Sequence, residues 1–267
     1  MDAEGIYLGP VLLRWSGLLL AFGIAVGAFV SALEARRRYQ DAEIIYHLFV
    51  PLVLWGWIGS RLWHVLTPPL SSVQLGLTTR HYLSHPLDIL SFWTGGFGIP
   101  GAILGGTIAL WIVSRKDELP FWEMTDVLAP GIAIAHGIGR LGNYFNQELY
   151  GLPTDVPWSI FVDPVNRLAG YEGNDFYHPL FVYEILMLLA CVVILLWLPR
   201  GRFADRIKAG ELYLIYLAWY SFIRFLLEFL RLDVSLVNGA NINQVFFACL
   251  LAVSAGLLLY RRFVRVL

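Results

Sequence analysis

Residues 180–198 read LFVYEILMLLACVVILLWL, nineteen positions with Glu184 as their one charge. A bilayer's hydrocarbon core, about 30 Å thick, is crossed by roughly 20 predominantly apolar residues in helical form. A helix on the surface of a soluble domain would instead alternate an apolar stripe with a polar face. This run has no such face, and it predicts a transmembrane helix.

The rest of the chain reads the same way. Across 267 residues, 58% are hydrophobic, 15% aromatic and only 15% charged, with a mean hydropathy of +0.64. Soluble domains carry about a quarter charged residues, so a water-soluble globule is excluded, as are a disordered tail, a collagen-like fibre and a disulfide mini-protein. Seven apolar runs long enough to span fall at 11–33, 44–66, 96–114, 124–144, 180–198, 212–230 and 242–260. The fourth is the most polar, holding His136, Arg140 and several glycines. The expected fold is an all-α integral membrane protein with about seven transmembrane helices in one polytopic domain over 1–267.

Charge orients it. Arg36, Arg37, Arg38, Arg115, Lys116, Arg200, Arg202, Arg206, Lys208, Arg261, Arg262 and Arg265 follow alternate spans, twelve of the 19 basic residues on one side. The positive-inside rule makes that side cytoplasmic, with the N-terminus outside and the C-terminus inside. Met1-Asp2-Ala3-Glu4 is acidic where a signal peptide would be basic, so the first run reads as a retained span. On the outer side, 147–177 is rich in Gly, Pro, Asn and Asp and reads as a small extracytoplasmic head; 68–93, half-apolar with His81 and His85, reads as interfacial or re-entrant. A net charge of −1 gives no case for nucleic acid. Cys191 and Cys249 lie in apolar runs and predict packing or lipid contact.

The informative charges are those within the spans. Arg14, Arg61, Arg140 and Arg224 fall in or near the hydrocarbon region, with Arg231 at a helix end. One arginine at mid-bilayer costs about 2.5–3.5 kcal/mol on insertion scales, so these must pair with carboxylates or meet an anionic ligand. Arg224, Glu228 and Arg231 are spaced i, i+4, i+7, one face of a helix. That set leaves one positive charge over, and a guanidinium fork suits two oxygens of a phosphate. A phospholipid head group is the anion at hand.

The densest polar string is Gly139-Arg140-Leu141-Gly142-Asn143-Tyr144-Phe145-Asn146-Gln147-Glu148-Leu149-Tyr150-Gly151, where the fourth span leaves the membrane. Polar groups there are costly unless paired. One or two would be an ordinary polar helix exit; the whole string points to a site.

That string resembles the signature of the prolipoprotein diacylglyceryl transferases, Gly-Arg-x-Gly-Asn-aromatic-x-Asn-x-Glu-x-x-Gly, at every fixed position. Further landmarks of that family follow in order: Arg14-Trp15 with Gly17, Gly59-Ser60-Arg61-Leu62, Pro86-Leu87-Asp88 before Gly95-Gly96, Pro153 to Trp158, His178-Pro179, Tyr183-Glu184, Tyr220, Arg224-Phe225 and Glu228 to Arg231. The resemblance implies a bacterial cytoplasmic-membrane enzyme that moves the diacylglyceryl group of phosphatidylglycerol to the lipobox cysteine of a preprolipoprotein. Glycerol 1-phosphate is released, and this is the first step of lipoprotein maturation. It implies no metal or cofactor, and the six histidines form no HExxH set. By resemblance Arg140 and Arg224 are catalytic at the phosphate, with Arg61, Asn143, Asn146, Glu148, Gly151, Glu228 and Arg231 binding or arranging the head group.

Two positions depart from the family pattern. Pro100 stands where many members have a histidine, a proposed base for the thiol, and Ser16 where a tyrosine is common. His136, one helical turn before Arg140, is then the candidate base, with a packing histidine as its plain alternative; His64, three after Arg61, is a weaker one. The rival functions are a non-catalytic phospholipid binder or flippase on the same scaffold, favoured by the loss of that histidine, and an ion channel or secondary transporter, for which no internal repeat or pore-like ring speaks.

Overall fold

The computed structural model describes residues 5–8, 11–39, 41–91, 95–201 and 204–263. Met1 to Glu4, Trp93, Arg202 and Arg265, used in the readings above, lie outside them. Seven long helices occupy the seven apolar stretches: α1 (Trp15–Tyr39), α2 (Glu43–Leu66), α6 (Ile99–Lys116), α7 (Phe121–Asn146), α8 (Leu180–Trp197), α9 (Glu211–Leu227) and α10 (Ile242–Phe263). Of these, α1, α2, α8 and α10 are long and apolar enough to cross a membrane. The chain is a helical membrane protein.

Two expected boundaries change. Val11–Arg14 is not the start of the first span but strand β2, paired antiparallel with β1 (Gly5–Leu8), Gly5 opposite Arg14. Pairing satisfies backbone groups that a helix start would leave open, and it leaves Arg14 exposed. The sixth helix stops at Leu227, so Arg231 is not on it; the chain turns at 228–230 and Arg231 bridges Gly151 through backbone pairing.

Glycines set the helix spacing. A Cβ on Gly131 of α7 would stand 2.2 Å from the Gly27 carbonyl oxygen of α1, and one on Gly101 of α6 would stand 2.0 Å from that of Gly59 on α2. With lipid as solvent there is little hydrophobic drive to join helices, so small residues that let backbones touch do that work. The remaining helices share an apolar core, with Ala133 from α7, Leu188 and Cys191 from α8, Tyr216 and Tyr220 from α9 and Phe247 from α10. Cys249 is exposed.

At the basic end, buried carboxylates tie the helices together. Glu34 pairs with Arg37 at 2.8 Å and with Arg200. Asp126 accepts from the backbone N–H groups of Gly210 at 2.8 Å and Tyr213 at 3.0 Å, satisfying the open start of α9. Glu211 meets Arg262 at 2.9 Å.

The opposite end carries the irregular chain. Between α2 and α6 lie three short helices, α3 (Leu70–Gln74), α4 (Thr79–Ser84) and α5 (Pro86–Ile89), which expose Leu75, Leu83 and Leu87. Between α7 and α8, strands β3 (Ile160–Phe161) and β4 (Phe176–Tyr177) pair antiparallel around Val162, Leu168 and Tyr177, and Leu232 completes that small core. A last pair, β5 (Leu236–Val237) and β6 (Ala240–Asn241), precedes α10.

Candidate active site

The end of α7, the starts of α8 and α10 and the end of α9 meet beneath these loops. On α7, His136, Arg140 and Asn143 follow at i, i+4 and i+7 and so share a face. That face looks at Glu184, which is wholly buried on α8.

Glu184 organises the cluster. Arg140 Nε donates to its Oε1 at 2.7 Å and Arg224 Nη1 to its Oε2 at 3.1 Å, so one carboxylate holds both arginines. The Tyr220 hydroxyl donates to Oε1 at 3.0 Å and, at 3.4 Å, accepts from Arg140 Nη2. His136 Nε2 lies 3.2 Å from the same oxygen, its ring edge-on to Tyr220 with centroids 4.5 Å apart.

A second carboxylate extends the chain of charge. Arg224 Nη2 donates to Glu228, which also receives Arg231 Nη1 at 3.2 Å and Asn241 Nδ2 at 2.9 Å. The Arg224 guanidinium lies 5.6 Å from the centroid of the Phe247 ring. Three guanidiniums against two carboxylates leave one positive charge over, and among the described residues Nε of Arg224 and of Arg231 has no hydrogen-bond partner. Arg140 is also unsaturated, since its Nη contacts to Asn143 and Tyr220 are long, at 3.5 and 3.4 Å. A buried set of fixed N–H donors with surplus positive charge has the chemistry to hold an anion.

The rest of the signature borders it. α7 ends on Gln147 in left-handed conformation, φ +51°, and the turn swings Glu148 back to accept from Asn143 Nδ2 and Asn146 Nδ2, each at 3.4 Å. Gly151 donates its N–H to the His178 carbonyl at 2.8 Å and bridges Arg231, and a Cβ there would stand 2.8 Å from the Leu230 carbonyl oxygen. Only glycine lets the end of the signature lie this close to Leu230 and Arg231.

Comparison with known proteins identifies the family. The prolipoprotein diacylglyceryl transferase family model matches residues 4–261. The chain belongs to that family. Among relatives, the phosphatidylglycerol–prolipoprotein diacylglyceryl transferase of Synechococcus elongatus is 38% identical over 255 residues, covering 95% of this chain and 84% of the relative. The proteins of that name from Thermosynechococcus vestitus and Cutibacterium acnes are 36% and 40% identical, covering 93% and 86% of this chain and 88% and 74% of theirs.

Within this family member, the structure brings together Arg140, Arg224, His136, Glu228 and Arg231, with Asn143 touching Arg140 and Asn146 and Glu148 just beyond. Arg61, expected among the head-group ligands, is elsewhere. It is buried on α2 and donates to the backbone carbonyls of Asp88 at 2.7 Å, Ile89 at 3.0 Å, Gly95 at 2.6 Å and Gly96 at 3.2 Å. A guanidinium without water must place its donors, and here they clasp Asp88, Ile89, Gly95 and Gly96 to α2. The group that sequence reading left without a role is Glu184, together with Tyr220 and Asn241. Its signal was present as the lone charge in the most apolar run of the chain.

Proposed function

We propose that this chain transfers the diacylglyceryl group of phosphatidylglycerol to the thiol of a lipobox cysteine, releasing glycerol 1-phosphate. The observation that carries the reading is the pair of arginines held on one buried carboxylate, with donors to spare and one uncompensated positive charge. In the reaction a new C–S bond forms at the glycerol carbon as its C–O bond to the phosphate breaks, and the electron pair leaves on the phosphate oxygen. Arg140 and Arg224 meet that developing charge with donors already fixed, which is where an enzyme gains most in a low-dielectric site. Asn143, Asn146 and Glu148 engage the glycerol hydroxyls, and Glu228 and Arg231 hold the head group from the far side. His136, packed on Tyr220 beside Glu184, takes the proton of the thiol.

All seven long helices cross the membrane in this reading, as one domain over 1–267. The basic end is cytoplasmic, while residues 147–177 form a head on the outer face and the chain starts outside and ends inside. The side chain of Val165, at the tip of the head, is 88% exposed. In a variant with Cys249 replaced by serine, Val165→Cys is expected to react with a membrane-impermeant maleimide in intact cells and Lys116→Cys only after permeabilisation. The reverse pattern would overturn the orientation.

The transfer itself is tested with purified protein, phosphatidylglycerol and a lipobox peptide, following peptide mass and glycerol phosphate release. A diacylglyceryl mass gain is expected with the cysteine peptide and none with a peptide whose cysteine is replaced by alanine. Lipid binding with no mass gain, beside an active relative as control, would overturn the enzyme reading in favour of a binder.

A further inference from the structure

The signature pattern leaves position 147 open, yet the Gln147 side chain is among the most fully engaged in it. Its Nε2 donates to Asp163 Oδ2 at 2.8 Å, and its Oε1 accepts from the Asp163 backbone N–H at 2.7 Å and from Asn166 Nδ2 at 2.9 Å. Both ends of the amide are used, and their roles are unambiguous because a carboxylate only accepts and a backbone N–H only donates. Tyr150, three residues on, grips the same turn: its hydroxyl accepts from Leu168 N–H at 2.8 Å and donates to the Asn166 carbonyl at 2.7 Å. Arg167 braces the turn from within, donating to the carbonyls of Val162 at 2.9 Å and Glu172 at 2.7 Å and to Asp175 at 2.7 Å.

The backbone between these anchors is in a conformation that side-chain-bearing residues rarely adopt. Gln147 has φ +51° and Leu149 φ +55°, neither of them glycine, and such conformations persist only where the surroundings over-determine them. What this turn achieves is the placement of Glu148 against Asn143 and Asn146. Alternate sides of one short segment therefore face two ways, with Gln147 and Tyr150 toward the 163–168 turn and Glu148 toward Asn146 and Asn143, the latter touching Arg140.

We infer that Gln147 is a positioning residue for the transfer, the tie by which the segment between α7 and α8 holds Glu148 and Asn146 at the head-group end of the site. The inference rests on the transfer reading above and assigns Gln147 no contact with substrate. A swap of donor and acceptor tests it. Gln147→Glu sets a carboxylate against that of Asp163, removing the donor and adding repulsion, while Asp163→Asn alone keeps an acceptor for the glutamine. In Gln147→Glu/Asp163→Asn the new amide donates to the new carboxylate, restoring the bond with its direction reversed.

With lost bonds of this kind read as transition-state losses, Gln147→Glu is expected to lower kcat/KM for phosphatidylglycerol about tenfold per folded enzyme. Asp163→Asn is expected to stay within about threefold of the unaltered protein, and the double variant to recover to the same range. Gln147→Met, which loses all three bonds without adding charge, should follow Gln147→Glu and serves if that variant does not fold. A wild-type rate for the single Gln147 variants, or a double variant no faster than Gln147→Glu, overturns the inference. Absence of product from the unaltered protein overturns the transfer reading instead.

Discussion

Glu184→Gln is expected to lower the turnover of the transfer at least about a hundredfold, while Glu184→Leu yields little folded protein. The carboxylate receives Arg140 at 2.7 Å and Arg224 at 3.1 Å, and it is wholly buried. Removing one partner of a buried ion pair costs about 3–5 kcal/mol because the other charge is left uncompensated, and here two guanidiniums lose their shared partner at once. Leucine leaves them facing apolar atoms. Glutamine keeps the shape and one acceptor oxygen, but its amide group presents N–H to a neighbour that also donates, so one arginine must turn away. A displacement of about 1 Å in a group that meets developing charge is enough for a hundredfold loss. Because Glu184 positions rather than binds, kcat should fall more than KM for phosphatidylglycerol rises. Single-turnover mass spectrometry and thermal melting in detergent check both arms, and a Glu184→Gln enzyme within about threefold of the unaltered one would remove Glu184 from its organising role.

How much of this was legible in the sequence depends on what each residue type must do. The helices were, because a 19-residue run such as 180–198 admits few other readings in a chain this apolar. The start of α1 was not, since a strand of Val, Leu and Leu is as apolar as a helix and only its pairing with Gly5–Leu8 distinguishes the two. The arginines of the site announced themselves through the cost of burying them. Yet the same argument placed Arg61 with them, and it is satisfied instead by four backbone carbonyls, partners that no side-chain pattern records. Spacing along one helix joined Arg224, Glu228 and Arg231; the three do meet, but Arg231 arrives from the segment that bridges Gly151 after the helix has ended. Glu184 escaped because its partners lie 44 residues before it and 40 after it, a pairing that only the packing of α7, α8 and α9 creates.

The proposed division of labour within the cluster is sharpest between Arg140 and His136, one turn apart on the same helix and touching the same carboxylate. Arg140→Ala is expected to reduce transfer about a thousandfold or more and Arg140→Lys about a hundredfold, since loss of one fixed donor to a developing oxyanion costs about 10²–10³ in rate and lysine cannot reproduce the planar fork. His136→Ala is expected to lose about a hundredfold near neutral pH, the range of a lost general base. pH separates the two roles. The peptide thiol ionises on its own near pH 8.5, so a missing base matters less as solvent supplies thiolate, and the His136→Ala rate should climb toward the unaltered enzyme between pH 7 and about pH 9. Arg140→Ala gains nothing from a ready-made thiolate, because the phosphate still leaves without its donor, and its deficit should persist across that range. Rates of mass gain for both variants at three pH values, with a lipobox peptide at saturation, decide it. Full activity in His136→Ala beside loss in Arg140→Ala would take the proton away from His136 and leave the arginine pair as the whole of the catalytic cluster's chemistry.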